Sequence, residues 1–407
     1  MSFAIQGDSP NSLPREQLRR TILIVLVGSI ALAFNYPLDG RAAAALYLSI
    51  GPVVVTITDL LVAVTAALLF LGGILRIPRL RGLEAYAVFL VFVTGSLFVT
   101  GPTADGIVEL IQWFEMIVLS LVIVNLARTE DDVKYAIWTL ILIGTVKAFY
   151  SLFYTLSIGT FSGRLFTELE GLSLVLVLGI LISHRFSRRF AIIAGLLSIE
   201  VLYFQERKVW LAVVGALSVG VVLLYLRQRS NQREILLRTL SIAAMIGVAA
   251  FAIALLMPEV ANRLKTLRGL LNNPRLYIWE TSIRMSLDNP VFGVGPDNWL
   301  ATKDAYSTPE LRQWETRYSV DALIPHSIFF RLMSEVGIPG FLAFFYFLSE
   351  PLRGVVRISR QSVYSFVLVL GYLYSLVIAG TAAASFEIRA PIFILAGLLF
   401  AQQVNGE

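Results

Sequence analysis

Cysteine is absent from this 407-residue chain, which removes disulfides, thiolate metal sites and thiol nucleophiles from consideration. Histidine is almost absent, with two residues, and charged residues make up only 15%, where soluble domains carry about a quarter. The space is filled by hydrophobic residues, at 57%, and the mean hydropathy is +0.75. That is the composition of an integral membrane protein. The net charge of +5 does not point to nucleic acid, because Lys and Arg flank apolar runs instead of clustering among aromatics on a polar domain. The N-terminal stretch is polar, with Pro10, Pro14, Arg15, Arg19 and Arg20, and lacks the pattern of a cleaved signal peptide, so the apolar run at 21–34 is expected to be retained as a first span.

A helix crosses the hydrocarbon core with about 20 apolar residues. Runs of that kind fall at about 20–36, 57–76, 84–101, 106–127, 135–157, 169–185, 190–206, 209–226, 236–257, 327–349, 363–381 and 387–404. The expected fold is an all-α polytopic membrane protein with about 12 transmembrane helices, divided as nine within 1–257, a long, partly helical loop at 258–326, and three within 327–407. Most Lys and Arg, including Arg15, Arg79, Arg128, Arg188, Arg233 and Arg357, fall in alternate loops. The positive-inside rule then makes both termini cytoplasmic and the long loop periplasmic.

The few cations on the opposite side stand out: Arg41, Arg164, the pair Arg207 and Lys208, and Arg389. Arg207 and Lys208 sit where the eighth span begins, and a helix N-terminus is already electropositive, so a bound anion is one way to accommodate them. Pairing with Glu206 or a lipid phosphate is the alternative. The long loop repeats the arrangement. Asn273 and Pro274 form a helix start that should run to about Asp288, with Arg275 in its first turn. Leu276, Trp279, Ile283 and Leu287 share one face of that helix, which suits the membrane or the bundle. Gly293-Val-Gly-Pro-Asp297 reads as a turn that returns the chain, and lacks the context of a phosphate loop. His326 opens the tenth span, either as a general base or as a hydrogen-bonded structural residue. Arg331 and Glu335 are spaced to pair, and Gly337-Ile-Pro-Gly340 should kink the helix. Glu109, Glu115, Lys147 and Glu200 are ionisable groups inside expected spans, each a functional candidate or a helix-to-helix partner. A transporter is disfavoured by the lack of paired broken helices, and a scaffold would give the outward cations no required partner.

The stretches Arg275 to Trp279, Pro290 to Trp299 and His326 to Gly340 resemble the O-antigen ligase and polymerase family of the bacterial envelope. That family is similar in its dozen spans, its long periplasmic loop before the last three, an Arg-x3-Trp helix, a Gly-Val-Gly-Pro segment and a His-Asn/Ser helix start. Its Ser-Arg-Gly segment looks like Glu206-Arg207-Lys208 here, a departure that leaves open which cation meets phosphate.

The resemblance implies an inverting membrane glycosyltransferase of the inner membrane, working on the periplasmic side with no metal and no cofactor. Its donor would be a glycan on undecaprenyl pyrophosphate, its acceptor the lipid A-core, and its surroundings membrane lipid. Arg207 and Arg275, with Lys208 and Arg164 as further candidates, would bind the pyrophosphate, and His326 would be the catalytic base. A polymerase or a protein O-oligosaccharyltransferase of the same family shares these motifs.

Overall fold

The computed structural model describes residues 12–33, 37–38, 41–42, 47–50, 53–158, 168–183, 187–203, 207–227, 237, 239–240, 274–316, 324–353, 357, 359, 362–381 and 386–405. At several helix starts a side chain satisfies an orphan amide of the first turn. Thr56 and Asp59 form a reciprocal capping box, Thr103 accepts from Gly106 N, and Ser327 accepts from Phe330 N. The resulting helices are α1 (Ser12–Ala33), α2 (Ile57–Leu71), α3 (Arg81–Thr100), α4 (Ala104–Leu126), α5 (Glu130–Ile158), α6 (Glu168–Ser183), α7 (Arg188–Tyr203) and α8 (Arg207–Arg227). They are followed by α9 (Pro274–Asp288), α10 (Trp299–Tyr306), α11 (Pro309–Glu315), α12 (Ile328–Ser349), α13 (Val363–Thr381) and α14 (Phe386–Asn405).

Among the described residues, six helices are long and apolar enough to cross a membrane: Arg81–Thr100, Ala104–Leu126, Glu130–Phe153, Lys208–Tyr225, Ile328–Leu352 and Val363–Thr381. The run expected at 236–257 lies outside the described residues, apart from three positions. The bundle is helical as expected. Two antiparallel hairpins, Pro37–Leu38 with Arg41–Ala42 and Tyr47–Ile50 with Val53–Thr56, link α1 to α2, and the all-α expectation did not include them.

At the centre, α6 is buried on every face over Glu168–Ile182 and packs on α5, α7, α8 and α13. The same core continues between α3, α4, α12 and α14 through Tyr86, Phe89, Trp113, Phe344, Phe347 and Phe393, whose rings meet mostly edge-on or tilted. Buried phenols spend their hydroxyls on backbone carbonyls: Tyr86 on Trp113 O, Tyr372 on Leu348 O and Tyr374 on Glu168 O. On α1, Arg19 and Arg20 pair with the fully buried Asp132 at the start of α5.

The kink expected at Gly337 is a sharp fold. On a straight helix, residues 329 and 345 would stand about 24 Å apart, yet the rings of Phe329 and Phe345 have centroids 6.3 Å apart. The two arms of α12 therefore form a V with its apex at Gly337, where φ is +81° and ψ is 171°. Pro339 has no amide hydrogen to give the Glu335 carbonyl. Ile338 N turns instead to Pro290 O at 2.9 Å, which also strands the Ser334 carbonyl. The loop repairs both: Val294 N donates to Ser334 O (2.9 Å), Gly295 N to Glu335 O (3.0 Å), and Ser96 Oγ to Glu335 O (2.7 Å). The Gly293–Gly295 turn and the break in α12 are thus two halves of one clamp.

Candidate functional site

Helix α9 spans the expected interval, and the bundle and loop cover a face other than that of Leu276, Ile283 and Leu287. Leu276, Ile283 and Leu287 are exposed, while Ile278, Thr281, Ser282, Met285 and Ser286 are buried. The loop has its own small core of Ile278, Met285, Val294, Trp299 and Leu311, which captures that other face. The buried hydroxyls are tolerated because each bonds the carbonyl one turn back, Thr281 to Tyr277, Ser282 to Ile278 and Ser286 to Ser282. Trp299 Nε1 donates to Ser282 Oγ at 2.9 Å.

Docking of α9 on the bundle brings two of the sequence candidates to one place. The Arg275 guanidinium donates from Nη1 to Thr381 O, 3.4 Å away at the C-terminal end of α13. One turn further along α9, the Trp279 ring stacks on Phe330, with centroids 4.9 Å apart and planes inclined by 15°. Phe330 lies in the turn that His326 and Ser327 open, and its neighbour Phe329 comes within 3.3 Å of where a Cβ on Gly380 would stand. Arg275 and the His326 helix start therefore meet the same helix end, Gly380–Thr381. His326 is half-buried, between buried Pro325 and buried Ser327.

The other candidates are placed differently. Arg207 is the first residue of α8, and its side chain lies outside the described ones, as do Glu206 and Arg164. Lys208 Nζ pairs with Glu168 of α6, whose carbonyl accepts the Tyr374 hydroxyl of α13. Helix α13 thus touches the Arg275 group at its end and the Lys208 group about 10 Å, or two turns, lower.

Three further groups of ionisable side chains lie elsewhere in the described bundle. Arg331 binds both oxygens of Glu335 through Nε at 3.1 Å, reaches Asp297 Oδ1 at 2.5 Å, and lies 3.8 Å from Glu109, which Arg389 holds at 3.0 Å. The Arg389 guanidinium also lies over the Trp113 ring at 4.5 Å. Asp297, which makes this contact, is a non-glycine residue with a positive φ, 58°. Burial pushes the Asp297 carboxyl above its ordinary value, against the pull of Arg331. The Arg331–Glu335 pair was visible in the sequence spacing, and the bridge from Glu109 to Arg389 was not. Between α5 and α6, Lys147 and Glu170 pair at 3.0 Å with both side chains almost fully buried, beside the buried Glu200. Glu115 of α4 faces Asp59 of α2.

This arrangement defines a class: a helical protein with several apolar helices of membrane-crossing length, in which the segment after α9 is clamped onto a broken helix. Residues 192–345, which include Arg207, Lys208, Arg275 and His326, match the family model described as O-Antigen ligase, Wzy_C, so this segment is similar to that family. Members of that family are membrane glycosyltransferase-like enzymes. No curated protein matches the chain.

Proposed function

We propose that the protein is an O-antigen ligase that transfers a glycan from undecaprenyl pyrophosphate to the lipid A-core on the periplasmic face of the bacterial inner membrane. The observation that carries this reading is the meeting of Arg275 and the His326 helix start at Gly380–Thr381, inside or against the matched segment. In the reaction, His326 takes the proton of the acceptor hydroxyl while its oxygen attacks the anomeric carbon. The bond from that carbon to the pyrophosphate oxygen breaks in the same displacement, which inverts the centre, and the pyrophosphate keeps the electron pair. Charge grows on the leaving group as the bond breaks, so fixed guanidinium groups favour the transition state over the bound donor. Arg275 supplies one such group and Arg207, at the start of α8, the other. Their planar, bidentate fork suits phosphate better than an ammonium. Lys208 is already neutralised by Glu168 and takes a supporting part.

The test feeds the purified enzyme a lipid-linked glycan with either lipid A-core or a second lipid-linked repeat. Transfer to lipid A-core is expected, and transfer to the second repeat alone would make the protein a polymerase. His326→Ala should lose about 10²- to 10⁴-fold in turnover with donor affinity retained. Unchanged turnover in that variant would remove His326 from the reaction.

A further inference from the structure

Two residues beyond Glu168 on α6, Glu170 enters a cluster that the proposed chemistry does not use. Lys147 of α5, Glu170 of α6 and Glu200 of α7 are 3%, 0% and 0% exposed. Lys147 Nζ donates to Glu170 Oε2 at 3.0 Å. Glu170 Oε1 and both oxygens of Glu200 are buried with no hydrogen-bond donor to meet them. Glu200 nevertheless lies within hydrogen-bonding reach of Glu170. Two carboxylates cannot bond each other, since each only accepts, but a carboxylic acid donates to a carboxylate. The neighbouring ionic pair is closed, because Glu168 holds Lys208 of α8. One ammonium against two carboxylates would therefore leave one negative charge uncompensated in a fully buried place, which is strongly unfavourable.

We propose that this cluster is a proton-binding site, with one proton held between Glu200 and Glu170 beside the Lys147 ammonium. The site does not depend on the donor reading. The proton is bonded to a Glu200 oxygen and donated to Glu170 Oε1, so it satisfies two of the orphaned oxygens and cancels the excess charge. The helix ends decide which carboxyl carries it. Glu170 lies in the first turn of α6 and bonds Lys147, so dipole and ammonium both favour a carboxylate there. Glu200 lies in the last turn of α7, where the dipole disfavours one. A metal cation would also restore neutrality. It takes several oxygen ligands, and among the described residues no group of three or more Asp, Glu, His or Cys is arranged to hold one. A proton needs no more than the two oxygens that the pair offers.

Infrared spectroscopy of the full-length protein in an ester-free detergent tests this, because a protonated carboxyl has a carbonyl stretch that carboxylates lack. Glu200→Gln should fold, since the amide keeps the shape of the acid and donates to Glu170 in its place. The difference spectrum of wild type minus this variant at neutral pH should show one protonated carboxyl, displaced in heavy water. Glu170→Gln should lose the same band, because Glu200 is then the carboxylate left to balance Lys147. Persistence of the band in either variant would overturn the proposal. If Glu200→Gln does not fold, Glu170→Gln decides by the same criterion. A band that appears in wild type only after sodium and potassium are replaced by choline would also overturn it, and would assign the site to a metal cation.

Discussion

Gly337→Ala isolates the clamp between the loop and α12. At φ +81° and ψ 171° the position lies in backbone space that only glycine occupies without strain, and an alanine there costs about 1–3 kcal/mol. The surroundings add to that cost. A Cβ on Gly337 would stand 2.4 Å from Val291 O and 2.5 Å from Val291 C, which are backbone atoms that cannot swing aside. Separating them pulls Pro290 to Gly295 away from the break, with loss of the bonds Ile338 N–Pro290 O, Val294 N–Ser334 O and Gly295 N–Glu335 O. Three bonds at about 0.5–1.5 kcal/mol each bring the expected destabilisation to about 3–7 kcal/mol. Gly73 is the comparison, since it has φ +63° with nothing within 4 Å of its added Cβ, so Gly73→Ala carries backbone strain alone, about 1–2 kcal/mol. Thermal unfolding in detergent, with limited proteolysis of residues 274–316, measures both. Gly337→Ala should unfold well below Gly73→Ala and expose the loop to protease before the bundle melts. Equal effects of the two substitutions, or a loop that stays resistant in Gly337→Ala, would refute the clamp.

Lys147→Met should destabilise the protein by about 3–5 kcal/mol, because it leaves the Glu170 carboxylate buried without its cation. The double variant Lys147→Met with Glu170→Gln should recover part of that loss in the same unfolding assay, and a double variant as unstable as the single would count against the pair. The Lys303 triad sets a pH dependence for the loop. Burial lowers the Lys303 value, but its bonds to Asp304 and Glu315 more than offset this and raise it, so their stabilisation is complete below the unfolded value of about 10.4 and goes as pH rises through the folded one. Lys303 in turn holds Asp304 down, so that share is present above about pH 3.9 and goes as pH falls through the folded value. Hydrogen exchange of residues 299–315 should therefore quicken at both extremes of pH, and a profile without the alkaline limb would contradict the triad.

The sequence was most informative where a local rule acts alone. Gly337-Ile-Pro-Gly340 announces a broken helix, Arg331 and Glu335 announce a pair, and Pro274 marks a helix start. At α9 it marked only one of two faces: Leu276, Ile283 and Leu287 are exposed, while Ile278 and Met285 pack inward together with small hydroxyl residues. Pattern reading counts Thr281, Ser282 and Ser286 as polar, yet each bonds a carbonyl of its own helix and packs inward as a small residue. Contacts such as Glu109 with Arg389 or Arg275 with Thr381 depend on which spans become neighbours, and no spacing along the chain encodes that. Even the clamp was half legible: the turn at Gly293 and the break at Gly337 can each be read, but only the stranded carbonyls of Ser334 and Glu335 show why one needs the other.

Folding α12 back on itself also joins its two arms twice. Phe329 lies on the arm that begins beside His326, and its ring meets that of Phe345 on the opposite arm, so the arms are tied through the Gly337 apex and again through that ring contact. A change of side chain at Phe345 is therefore felt in the turn that His326 opens, across a break that would otherwise insulate one half of the helix from the other.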